Sequence, residues 1–530
     1  MTARATFGHD VLHLEGRLSM TTTIETLLAA AAEDAADVTA LLCEGEAVTY
    51  AELYARVREG AAAWHAHGLR PGDRVACWAA NTVECTVAML SAVVAGGVLV
   101  PLNPRYTPAE VAAILPRVSA PFLVAPVSVA GRPLAADALG IAGDARVIAL
   151  GPGAPDGAIP WQAFLAAAGP PVAVEPHEFI TIQFTSGTTG RPKGAVLRQA
   201  PMLETAGTWA RVVGLGRGDI YPVTYPLAHI GGFKTGLLSP FQARATSVLI
   251  PVVSAESIAE VVRTLPVAVL NAPPAAQRYV IEARRTGQLP GDLAIRVAVL
   301  GSAIAPPALV RALKQELGVG DVVIGYGLTE ATGVCTMTRP GDPLDLVCET
   351  IGRPIDGVRA RVWAPPGTTG SPMIGEIEVT GSNVMAGYLD DPAATAEVMH
   401  DGWLRTGDLG WIGDDGYVRI AGRARDMVIV GGFNVYPAEI EHVLAEHPSV
   451  TEAAVVGVPD DRLGEVTAAF VVTTGGLDRD ELLAWCRQRL ANFKMPRHLW
   501  VMDELPRAAV GKIAKPQLRE LALDMLREAS

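Results

Sequence analysis

Ten consecutive residues, Thr185-Ser186-Gly187-Thr188-Thr189-Gly190-Arg191-Pro192-Lys193-Gly194, set four hydroxyls, three glycines and a lysine between two short apolar runs, 179–184 and 195–197. Glycine lets a backbone turn tightly and present its N–H groups to an oxyanion. The hydroxyls and the lysine add donors and positive charge. This is chemistry for cradling phosphate. The segment is not the GxxxxGK[ST] loop, because glycine follows its lysine and it joins two strands. A merely solvated Ser/Thr/Gly turn is the plainer reading, but such turns rarely concentrate donors this way.

Further along, Gly325-Tyr326-Gly327-Leu328-Thr329-Glu330 follows the apolar run 321–324. Ligands bind beyond the C-terminal ends of strands in open α/β sheets. An aromatic ring between glycines can stack on a base, and a carboxylate just beyond can hold Mg²⁺, which prefers oxygen ligands. Read alone, the segment is equally a turn with Glu330 as a helix-start acid. In Gly402-Trp403-Leu404-Arg405-Thr406-Gly407-Asp408-Leu409-Gly410 an aspartate is expected in a tight glycine loop, where a fixed carboxylate could accept from two ribose hydroxyls. A hairpin-turn aspartate is the alternative. Gly422-Arg423-Ala424-Arg425-Asp426 then leads to Gly431-Gly432, whose missing side chains admit a slim ligand, and Gly511-Lys512 places a lysine before a helix near the end.

The elements that must position these residues alternate. Thr49-x-x-Glu52 and Thr107-Pro108-Ala109-Glu110 are capping boxes that open helices. Short apolar strands are expected at 74–78, 122–125, 147–150, 179–184, 247–251, 267–270, 295–300 and 322–324, with helical periodicity between most of them. That alternation predicts an α/β fold with parallel sheets covered on both faces by helices. From about 350 to 424 the strands 358–363, 375–380 and 417–421 are separated by Gly, Pro and Asp turns, which predicts a small β-rich subdomain. Residues 425–530 mix strands 450–456 and 466–473 with a helix near 482–490, a separate α+β domain. Residues 1–20 read as a loose extension before a large domain over 21–424.

Composition narrows the function classes. The chain has 530 residues, is 50% hydrophobic and carries a formal net charge of -13, which disfavours a phosphate backbone as partner. No nucleic acid is therefore expected. Six cysteines, Cys43, Cys77, Cys85, Cys335, Cys348 and Cys486, form no CxxC pair and read as thiols of a reducing compartment. The most apolar run, 87–102, is broken by Gly96-Gly97 and Pro101 and is too short to span a bilayer; it reads as a core helix running into a buried strand. A cytoplasmic location is expected. The oligomeric state is open, a homodimer being one option.

Taken together and in this order, the motifs resemble the adenylate-forming superfamily: acyl-CoA synthetases, non-ribosomal adenylation domains and luciferases. The resemblance runs from about Thr22 to the C-terminus. It implies a large N-terminal domain and a mobile C-terminal domain pivoting at Arg425, where relatives more often carry aspartate or lysine. It implies that Thr185, Ser186, Gly187, Thr188, Thr189 and Lys193 cover the β- and γ-phosphates of ATP. Gly301, Ser302, Ala303, Tyr326 and Gly327 would form the adenine wall. Thr329 would meet the α-phosphate, Glu330 would hold Mg²⁺, and Asp408 and Arg423 would clamp the ribose. Lys512 would bridge the acyl carboxylate and the α-phosphate, and Gly431 and Gly432 would flank the pantetheine tunnel of coenzyme A. His229 would gate the junction of tunnel and acyl pocket, with Gly232 and Phe233 in that pocket.

The implied reaction is coherent. A carboxylate is a poor acyl donor; attack on the α-phosphate of ATP replaces its oxide leaving group with AMP and releases pyrophosphate. Two anions must meet, so cations and N–H groups must neutralise charge. A thiol then takes the acyl group, and a mobile domain can exchange the lysine for a thiol channel. Amino-acid activators of the superfamily place an aspartate near the segment that here reads Ala228-His229-Ile230-Gly231-Gly232-Phe233. Its absence predicts an apolar acid, and the glycines predict room for a bulky one. The stretch 429–437 looks like that of actinobacterial ligases for medium-chain, steroid-fragment or polycyclic acids. Transfer to a carrier protein, a luciferase-type oxygenase, an enzyme retaining one half-reaction and a silent nucleotide binder are the open alternatives.

Overall fold

A computed structural model of the chain describes residues 23–170, 176–185, 192–301, 306–365, 372–423, 426–430, 433–460, 463–475, 478–507 and 512–528. The expected N-terminal extension, Ser186 to Thr189, Ser302 and Ala303, the Arg425 pivot and Gly431-Gly432 lie outside them.

The described residues form five sheets. The largest runs, in spatial order, Gly387–Tyr388, Lys193–Arg198, Phe179–Thr185, Val98–Leu102, Arg74–Trp78, Phe122–Pro126, Arg146–Leu150 and Ile159–Pro160. It is parallel from Phe179–Thr185 onward. Helices cover both faces, so inner strands such as Val98–Leu102 are buried at every position. The run 87–102 divides as expected into the helix Val83–Val94 and that strand. A second sheet places Val269–Asn271, Val297–Gly301 and Asp321–Tyr326 in parallel, with Thr336–Met337 and Arg353–Pro354 antiparallel at one edge. Both capping boxes close, Thr49 with Glu52 and Thr107 with Glu110. A four-stranded sheet contains Thr39–Cys43 and Glu46–Thr49, short strands the sequence patterning does not flag.

The β-rich unit is an antiparallel sheet of Val358–Trp363, Gly375–Gly381, Trp403–Ile412, Met399–His400 and Val418–Arg423. Here one expectation is corrected. Asp408 is not in a loop; it lies inside the ten-residue strand Trp403–Ile412. Pairing with Gly375–Gly381 slips between Glu376 and Glu378, and Gly407 takes φ +73° at that bulge. A bulge in a strand uses the same glycine signal as a turn, which is why spacing alone misplaces it. The C-terminal unit has its own sheet of Phe433–Val435, Val428–Val430, Gly464–Thr473, Val450–Asp460 and His498–Met502. Two apolar clusters there draw only on residues 428–526, so the unit carries its own core. Its helix expected near 482–490 runs Arg479–Arg487, starting earlier because the Asp478 carboxylate caps it.

Candidate active site

Three sheets deliver the motif residues to one cleft. Thr185 and Lys193 end one strand and begin the next, and they face each other in register. Gly301 and Gly325 are neighbours in the second sheet, so Tyr326 leaves that sheet at the C-terminal ends of parallel strands. Asp408 comes from the bulged strand of the β-rich sheet.

The Thr329–Ala331 segment is a single 3₁₀ turn, not the start of a long helix. It is strapped from several sides. The Met385 N–H donates to the Glu330 carbonyl at 2.8 Å, and Asn383 Nδ2 donates to the carbonyls of Ala331 and Val334 at 3.1 and 3.0 Å. Thr332 sits at φ +55° and is held by its hydroxyl on the Asn383 carbonyl and by Lys234 Nζ on its own carbonyl at 2.7 Å. The Glu330 carboxylate therefore has a fixed base. Its Oε1 accepts from the Tyr388 hydroxyl at 2.8 Å and, at the long distance of 3.5 Å, from Thr185 Oγ1. Burial first, and then the Glu330 charge, push the Tyr388 hydroxyl well above the usual phenol range, so it stays a donor. Lys193 Nζ lies 5.2 Å from the centre of the Tyr388 ring and 3.6 Å from Glu397.

Asp408 is buried, with both oxygens engaged. Oδ1 pairs with Arg423 Nε at 3.0 Å, and Oδ2 accepts from the Tyr326 hydroxyl at 2.5 Å. The ring expected to stack on a base is thus tied to the carboxylate expected to hold the sugar.

His229 stacks on Tyr225, and its Nδ1 accepts from the Gly231 N–H at 3.0 Å, which leaves the proton on Nε2. Burial first, and then the nearby Lys512 charge, push its pKa down to about 4, so the ring is neutral. Lys512, exposed and from the C-terminal unit, is near enough for its charge to act on His229.

The expectation that glycine leaves volume beside His229 is corrected at Gly232. A Cβ there would stand 2.0 Å from the Pro226 carbonyl oxygen, so Gly232 serves a close backbone approach and opens no space. Phe233 is wholly buried in the core. Both lie in a π-helix, Gly231–Leu238, a geometry frequent at functional sites. Sequence reasoning missed two residues here. Tyr388 lies in a two-residue strand too short to register. Lys234 hides in an apolar run, is wholly buried, and burial pulls its pKa down to about 7.

A carboxylate and a hydroxyl on a rigid turn, beside a lysine, suit a hydrated Mg²⁺ that takes the rest of its oxygen ligands from water and phosphates. The family model for AMP-binding enzymes matches residues 28–389, and that for the AMP-binding enzyme C-terminal domain matches 439–512. The chain is 41% identical over 502 residues to a Mycobacterium tuberculosis protein named as the CoA ligase of a (7a-methyl-1,5-dioxo-octahydro-1H-inden-4-yl)propanoyl group, covering 92% of this chain and 96% of that one. It is 34% identical over 482 residues to indoleacetate–CoA ligase of Aromatoleum aromaticum, covering 89% and 93%. A solved structure of the anthranilate CoA ligase AuaEII with anthranoyl-AMP superposes with a TM-score of 0.87 at 26% identity, covering 97% of this chain and 99% of that one. The chain belongs to the AMP-binding enzyme family. It is an AMP-forming acyl-CoA ligase of the adenylate-forming superfamily, and its substrates are a carboxylic acid, ATP with Mg²⁺, and coenzyme A.

Proposed function

We propose that the acid is apolar and alicyclic, a propanoate carried on a fused ring system, and that the residues gathered in the cleft divide the work as follows. Lys193 and the Thr185 hydroxyl bind the outer phosphates. Glu330, held by Tyr388 and Thr185, is the carboxylate for Mg²⁺, which when bound supplies charge neutralisation at the phosphates. Asp408 accepts from the ribose hydroxyls, with Arg423 and Tyr326 fixing its orientation. Lys512 lies between the acyl carboxylate and the α-phosphate and neutralises the charge that builds as they join. Neutral His229 bounds the acyl carboxylate without adding charge. The C-terminal unit, taken as residues 425–530 and turning at Arg425, then exchanges Lys512 for the Gly431-Gly432 edge, along which pantetheine reaches the adenylate.

The reading is supported by the Glu330 turn, whose carboxylate is held by Tyr388, and by the Lys512 charge acting on His229. The choice of acid is supported by the resemblance to the fused-ring propanoyl ligase along nearly the whole chain and by the lack of a carboxylate in Ala228–Phe233. A panel of fused-ring propanoates, medium-chain fatty acids, arylacetates and α-amino acids, read for pyrophosphate and acyl-CoA, tests it. The fused-ring propanoates should lead in kcat/KM and the amino acids should be inert. A clear preference for any α-amino acid overturns this account of the pocket.

Lys193→Ala should raise the KM for ATP about tenfold, with a smaller change in kcat, since a ground-state phosphate contact is lost. Stability should hardly move, because its partner Glu397 is exposed. Undiminished ATP use in that variant sinks the phosphate assignment. We place the protein in the cytoplasm, since all six cysteines are free thiols. Among the described residues no helix is long and apolar enough to cross a membrane.

A further inference from the structure

The C-terminal unit touches the large domain through a charge cluster outside the cleft. Arg278, on the helix Pro274–Arg285 of the large domain, places Nη1 3.2 Å from Glu452 Oε1, on the strand Val450–Asp460 of the C-terminal unit. Both oxygens of Glu452 also accept from Arg507 Nη2 at 2.6 Å. Arg507 pairs in an antiparallel bridge with Ile513, and the Ala514 N–H donates to the Pro506 carbonyl at 2.7 Å. Arg507 therefore stands beside the segment Lys512–Ala514. One line of contacts runs from Arg278 to Glu452, to Arg507 and to Ile513, the chain neighbour of Lys512.

The cluster is partly desolvated. Side-chain exposure is 31% for Arg278 and 19% for Glu452, so solvent screens it less than a surface pair. Two guanidiniums share one carboxylate, which leaves Arg507 satisfied within its own unit if Arg278 is withdrawn. The Arg278 contact is thus the separable part, made only while the two units stand as they do here.

We propose that Arg278 is a positioning residue for acid activation: by gripping Glu452 it docks the C-terminal unit with Lys512 at the cleft. Rotation of that unit to offer another face to the adenylate separates Arg278 from Glu452, since the two sit on different bodies. The contact therefore favours the first half-reaction and has no part in the second. The inference rests on the reading of Lys512 given above.

The test uses the full chain with the fused-ring dioxo propanoate as acid. Pyrophosphate release is measured without coenzyme A, and thioester formation is measured from the synthetic adenylate of the same acid. Arg278→Ala should slow pyrophosphate release about tenfold, the scale of one lost interfacial charge pair. The KM values for ATP and acid should be unchanged, and thioester formation should be equal or faster. Arg278→Glu should do more, through repulsion of Glu452, and Arg278→Lys should recover part of the loss. An unchanged first half-reaction, or equal loss in both halves, overturns the proposal. Lys512→Ala, run alongside, separates the two readings: if that variant still activates the acid at the wild-type rate, it is the lysine assignment that fails.

Discussion

Lys512→Ala should lose acid activation by roughly 10²–10³-fold while converting a supplied acyl-adenylate to thioester near the wild-type rate. The magnitude is that of removing one preorganised group aimed at charge that develops in the transition state. The asymmetry follows from the chemistry. Two anions are joined in the first step, whereas in the second a thiolate attacks a mixed anhydride whose AMP leaving group is already made. A second readout is independent of turnover. The His229 pKa stands at about 4 because burial and the Lys512 charge both disfavour the imidazolium. With the cation gone only burial remains, so the pKa should climb, yet stay below the ordinary 6.5 of histidine. An NMR titration of the ring follows this directly. Equal loss in both half-reactions, or a stationary His229 pKa, would mean that Lys512 is not at the cleft when the acid is activated.

Glu330→Gln should be nearly as damaging. The amide keeps an oxygen to accept from Tyr388, so the turn held by Met385, Asn383 and Lys234 has no reason to move. Only the negative charge is lost. Metal-assisted charge neutralisation is worth several kcal/mol, so kcat for pyrophosphate release should fall about a hundredfold or more. The Mg²⁺ concentration giving half-maximal rate should rise, and high Mg²⁺ should restore part of the activity. The Tyr388 phenol should ionise at lower pH in this variant, because the neighbouring carboxylate charge that raises it is absent. An unshifted Mg²⁺ dependence would remove Glu330 from the metal site.

The sequence discloses this site unevenly, for physical reasons. Residues whose chemistry depends on local backbone form stand out: the donor-rich segment ending at Lys193, the turn around Glu330, the capping boxes of Thr49 and Thr107. Their signals lie within a few residues of one another. Contacts made across sheets leave no such trace. Nothing near Tyr388 announces that a two-residue strand beside Lys193–Arg198 will swing its hydroxyl onto Glu330. Lys234 looks like an exposed interruption in an apolar run until the fold closes over it. Glycine misleads in both directions. Gly407 signals a turn but makes a bulge, and Gly232 suggests space but marks a backbone contact with Pro226. The Arg278–Glu452–Arg507 line spans 174 residues in its first link and is invisible before the two units are placed together.

The adenylate route itself is tested most directly by oxygen transfer. The fused-ring propanoate is labelled with ¹⁸O in its carboxylate and turned over once with ATP, Mg²⁺ and coenzyme A. The products are then read by mass spectrometry. Attack of the carboxylate on the α-phosphate, followed by thiolysis at the acyl carbon, predicts one ¹⁸O in AMP, none in pyrophosphate, and one acyl-CoA for each AMP. Label in inorganic phosphate with ADP as co-product, or AMP formed without label, would contradict it.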